Sequence, residues 1–165
     1  MAASVLTTAE MLAMLAATPS RIAALTAEMV PVQLQAAPAP DKWSANEVLA
    51  HLRACADMWG DCIAAIITHD HPTLRAVNPR SWIKSTDYRD QAFQSSLDAF
   101  TTQRAELLAV LEPLAPEGWV RSATVTVAGK PRERSVRFYA QWLAIHERSH
   151  LKQIDRMART IRKQQ

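Results

Sequence analysis

The run His146-Glu147-Arg148-Ser149-His150 places two histidines four residues apart. On a helix that spacing puts both imidazoles on one face, one turn above the other, so that they can grip one metal ion. The run is also H-E-x-x-H, a pattern in which zinc proteases use the glutamate on a metal-bound water. That chemistry needs a third ligand further along the chain. The fifteen residues after His150 hold no His or Glu, and their sole acid, Asp155, lies more than a turn on and rotated away from the pair. The strands that flank a zinc-protease helix are missing too, so the pair must find its third ligand upstream.

Three histidines are available there. His69 and His71 fall beside Pro72 at a helix end, where exposure to solvent is expected. His51 instead falls on an apolar helical stripe with Val48, Leu52, Cys55, Trp59 and Cys62. Facing helices pack about 8–10 Å apart, which lets His51 converge with His146 and His150 on one ion. Three neutral imidazoles leave one position open, the layout of a catalytic metal site. The competing reading is three core histidines satisfied without a metal. Cys55, one turn after His51, is either a fourth ligand or a packed apolar side chain, and Glu47, one turn before it, is explained by a helix cap.

The elements that must position these residues are helical. Thr7-Thr8-Ala9-Glu10 and Ser44-Ala45-Asn46-Glu47 are capping boxes opening the first and second helices, with Trp43 as a hydrophobic staple for the second. Pro19, after Thr18, predicts a kink or restart in the first. The stretch from His69 to Thr86 is longer than an ordinary loop, long enough to cross the bundle and leave helices two and three parallel. Asp87 is the expected cap of helix three, which carries Phe93, Leu97, Phe100, Leu107, Leu108 and Leu111. Residues 123–127 (Ala-Thr-Val-Thr-Val) are strand-like and precede Gly129, predicting a hairpin or extended loop. Helix four runs from about Ser135 to Arg162.

Composition agrees with an all-α fold. The chain has 165 residues, the size of one domain, 48% hydrophobic content and only three glycines. Cys55 and Cys62, two turns apart, are too distant to bridge and read as reduced thiols. With no basic leader and no long uninterrupted apolar run, a cytoplasmic protein outside the membrane is expected. A net charge of +3, with basic clusters lacking interleaved aromatics, gives no support to nucleic-acid binding.

Two segments carry a resemblance. Lys42-Trp43-Ser44-Ala45-Asn46-Glu47-Val48-Leu49-Ala50-His51-Leu52 resembles the W-S-x-x-E-h-x-x-H-L signature of the DinB/YfiT-like superfamily, and His146-x-x-x-His150 followed by Gln153-Ile154 resembles its last-helix H-x-x-x-H-x-x-Q-I. The order of elements along residues 1–165 is similar throughout. The resemblance implies a single four-helix bundle of up-down-down-up connectivity. It also implies a divalent metal, zinc or nickel, on His51, His146 and His150, and a homodimer acting on a small molecule. Activity of the thiol S-transferase or hydrolase type follows from the same resemblance, with a low-molecular-weight thiol as possible co-substrate. The alternative is a non-catalytic metal- or ligand-binding bundle in a stress response. The resemblance gives Glu147 no catalytic role.

Overall fold

The computed structural model describes residues 5–165. Its elements are α1 (Thr8–Thr26), α2 (Pro31–Gln35), α3 (Ala45–Thr68), β1 (Thr73–Arg75), α4 (Pro79–Trp82), α5 (Phe93–Leu111), α6 (Pro116–Val120), β2 (Ser122–Val127), β3 (Lys130–Ser135) and α7 (Val136–Arg162). The four long helices, α1, α3, α5 and α7, form a bundle in which α7 packs on α1 and α3, and α5 packs on the same two helices from the other side.

Local chemistry sets the helix boundaries. Thr7 and Ser44 each accept a hydrogen bond from the backbone N–H three residues on, while Glu10 and Glu47 reach back to the cap N–H, so both expected capping boxes are present. Ser135 caps α7 through the Phe138 N–H. Asp87, expected to cap helix three, does not. Its carboxylate accepts from the Gln91 side chain within a turn, and α5 begins six residues later, after Ala92, which supplies no side-chain cap. The Asn46 amide instead ties that turn to α3 by donating to the carbonyls of Arg89 and Gln91.

Pro19 does not restart the first helix. α1 is continuous through it, and the Thr18 hydroxyl donates back to the Met14 carbonyl rather than capping a new helix. A proline has no N–H to give, so the Leu15 carbonyl loses its usual partner four residues on. The Arg104 guanidinium of α5 fills the vacancy, donating to that carbonyl at 3.3 Å.

The all-helical expectation is corrected by a three-stranded sheet. β2 and β3 form the hairpin foreseen near Gly129, and β1, from the long connection, pairs parallel to β2 with Thr73 beside Thr124. The hairpin turns at Ala128 and Gly129, both with positive φ (49° and 76°), the backbone that a two-residue turn between twisted strands requires. The His69-to-Thr86 connection therefore holds structure of its own: β1, α4 and a 3-10 turn at Ile83–Ser85.

The core is split in two. One apolar cluster gathers Ile22, Leu49, Leu52, Phe100, Leu151 and Ile154; the other gathers Met11, Leu15, Ile63, Leu111, Leu143 and Ala144. Between them, each helix passes through polar or unusual residues: Thr18 and Pro19, His51 and Cys55, Arg104, and His146 to His150. Contacts along α3 and α5 climb in step, Arg53 with Ser96 and Asp57 with Gln103, while Asn46 bonds Gln91 in the turn just before α5. No helix among the described residues is long and apolar enough to cross a membrane.

Candidate metal centre

His51 comes from the first half of α3, and His146 and His150 from the middle of α7, one turn apart on the same face. The fold brings the three rings together. His146 Nε2 lies 3.2 Å from His51 Nε2 and 3.2 Å from His150 Nε2. An N···N gap of that size holds at most one proton, so neither neighbouring pair can be protonated on both facing atoms. Cys55 joins the group, with its Sγ 3.5 Å from His51 Nε2. The ligand atoms of His51, Cys55 and His146 all lie within 4.8 Å of one another, a candidate ligand set that takes in Cys55 and leaves out His150.

Burial governs the charge of the cluster. It lowers the His51 pKa to about 4, with the charges of His150 and Arg80 adding to the effect. It lowers His146 to about 3, with His150 and His51 adding. His150 is lowered by the same desolvation, opposed by its bond to Gln153 and by the Glu147 charge. All three rings are therefore neutral at pH 7, with lone pairs free to bind a cation. Cys55 moves the other way. Burial, then the negative Glu147, holds its thiol protonated far above its ordinary range, which weakens it as a ligand.

The residues fit a divalent ion. Two imidazole nitrogens bound tetrahedrally at about 2.0–2.1 Å stand roughly 3.3 Å apart, close to both observed separations. His150 Nδ1 lies 2.9 Å from Gln153 Oε1, an arrangement that keeps the proton on Nδ1 and turns the Nε2 lone pair inward. His146 Nδ1 is buried without a partner, so in either tautomer this ring has one polar atom unsatisfied. A cation on Nε2 would fix the proton on Nδ1, which would still lack an acceptor, a cost of about 1–3 kcal/mol that the metal bond would have to exceed.

Two tryptophans frame the imidazoles. Trp43, expected as a staple, lies 4.9 Å from the His51 ring and stacks near-parallel to His150 at 6.3 Å between centroids. Trp59 meets His146 edge-on at 5.2 Å and also contacts Trp142. His69 and His71 lie in the exposed connection, away from the cluster, where His71 approaches Glu133 at 3.4 Å.

Sequence reasoning missed the pair directly behind the site. Glu147 is 1% exposed, and both its oxygens are taken by Arg104, itself 2% exposed: Nη1 donates to Oε2 at 2.9 Å and Nη2 to Oε1. A signal was present. Arg104 occupies the stripe of Leu97, Phe100 and Leu111, and Glu147 the stripe of Leu143, Leu151 and Ile154. Opposite charges at core positions of two helices imply a buried pair.

Comparisons place this geometry among known proteins. A comparison with curated sequences returns no significant match. Among solved structures the chain is similar to YfiT from Bacillus subtilis, described as a probable metal-dependent hydrolase with an unusual four-helix bundle topology. The TM-score is 0.82 at 15% identity, over 98% of this chain and 93% of that one. The DinB superfamily profile matches residues 14–154, most of the chain and all three clustered histidines, and the protein belongs to that superfamily.

Proposed function

We propose that this protein is a divalent-metal-dependent enzyme of the hydrolase or thiol S-transferase type, its ion held by His51, His146 and His150. The observation that carries the reading is the pair of 3.2 Å Nε2 separations meeting at His146, the edge length expected around one small cation. Zinc or nickel suits a set of neutral nitrogens. When bound, such an ion supplies Lewis acidity and lowers the pKa of a coordinated thiol or water.

The chain's own residues set the terms of the reaction. Gln153 orients His150, and Trp43 and Trp59 pack against the imidazole rings. Carboxylates near the site are already engaged. Glu147 is bound to Arg104, and Glu47 accepts from the Ser44 N–H on one oxygen and from Arg89 on the other. This favours a nucleophile ionised by coordination alone over one deprotonated by a side chain. The description of YfiT supports hydrolysis as the first reaction to assay. Up-down-down-up connectivity is part of the same reading, supported by the contacts that climb together along α3 and α5.

Metal-loaded protein assayed against ester and amide substrates, and against electrophiles with a panel of small thiols, tests the proposal. Turnover abolished by His146→Ala is the expected result. A fully loaded protein inert toward every substrate would favour a non-catalytic metal-binding bundle.

A further inference from the structure

A cavity of about 220 Å³ opens against His51, lined by Trp43, Glu47, His51, Arg80, Ile83 and Arg89. At about 30 Å³ per water it has room for roughly seven waters, enough for part of a small molecule. Its charges do not balance: two guanidiniums face one carboxylate. Arg89 is committed to Glu47 at 2.6 Å. Arg80 has no carboxylate within ion-pair distance among the described residues, and its guanidinium rests 5.6 Å from the centroid of the Trp43 ring that covers His51.

The backbone beneath Arg80 is fixed although the side chain is free. Asn78 caps α4 by accepting from the Arg80 N–H at 2.9 Å, Pro79 presets the first helical turn, and α4 packs against α3. Arg80 is exposed, and its guanidinium lies at the cavity wall beside the Trp43 ring with its donors available. A planar guanidinium so placed matches a carboxylate, with which it can form two parallel charge-assisted hydrogen bonds.

We propose that Arg80 anchors a carboxylate of the substrate, so that the cavity beside His51 selects small molecules joining a metal-binding group, such as a thiol, to a carboxylate. This rests on the three-histidine metal reading and adds the substrate class to it. Arg80 acts here as a binding residue, with no part in bond making.

Cobalt-substituted protein separates the two claims. Its visible absorption first reports whether the ion is bound by the protein, and the sulfur-to-cobalt band then reports titration with 3-mercaptopropionate or its uncharged methyl ester. The acid is expected to bind about ten- to a hundred-fold more tightly than the ester, the range of one charge-assisted contact. Arg80→Gln should erase the difference and Arg80→Lys should retain part of it, with the ligand-free cobalt spectrum unchanged in both. Equal affinities for acid and ester, or a preference surviving in Arg80→Gln, would overturn the anchor while leaving the metal reading intact. Failure to bind cobalt at all would overturn both.

Discussion

The guanidinium of Arg104 and the carboxylate of Glu147 meet side by side in the middle of the bundle, one residue along α7 from His146. The pair links α5 to α7, and through the Leu15 carbonyl it also reaches α1 at the position where Pro19 removes a helix hydrogen bond. It therefore fixes the height at which α7 presents its two histidines. A glutamate so placed has no free oxygen with which to act on a substrate.

Replacing one member of this pair strands a buried charge. Glu147→Gln should cost about 3–5 kcal/mol, whereas Arg104→Met combined with Glu147→Leu should recover most of that loss. Urea unfolding of the three proteins measures it. A single variant as stable as the parent would show that the pair contributes nothing to the fold.

The histidine cluster makes metal-free protein sensitive to acid. Folded-state pKa values of about 4 for His51 and about 3 for His146 lie below the unfolded value of about 6.5. Between those limits the unfolded chain binds more protons, so stability rises with pH and falls as pH drops. Thermal unfolding of the metal-free protein should lose on the order of a few kcal/mol between pH 7 and pH 4, and His146→Ala should flatten the profile. The same loss in the variant would place its origin elsewhere.

The sequence showed the parts of this site that depend on local spacing. His146 and His150 share a face because four residues is about one helical turn, and His51 was traceable because it interrupts an apolar stripe. The capping boxes at Thr7 and Ser44 are equally local. What escaped was long-range. The third strand joins the hairpin through a parallel pairing of Thr73 with Thr124, about fifty residues apart, which no local pattern encodes. Arg80 was invisible for the same reason, since its neighbours Trp43 and His51 lie far back along the chain. Asp87 misled because a residue that favours a helix cap also favours a tight turn, and here the turn prevailed.

Cys55 lies within reach of the cluster but is a poor donor. Its thiol is held protonated by burial and by Glu147. Cys55→Ala should keep full metal stoichiometry, with affinity within a few-fold of the parent. Loss of the ion would replace His150 by Cys55 in the ligand set.

Under the proposed three-histidine reading, Gln153 acts through His150. Gln153→Ala should weaken metal affinity by roughly 10–100-fold, the usual effect of removing a partner that orients a ligand. Gln153→Glu, which keeps an acceptor for the Nδ1 proton, should restore most of it. Competition with a chromophoric chelator measures both, and unchanged affinity in the alanine variant would remove Gln153 from the site.

Metal content per chain, measured by elemental mass spectrometry on protein purified without a histidine tag, bears most directly on the central claim. The account predicts close to one divalent ion per chain in the parent. It predicts almost none in His51→Ala, His146→Ala or His150→Ala, each still folded by circular dichroism. A parent free of metal after incubation with zinc and nickel, or a His51→Ala variant that keeps its ion, would contradict it.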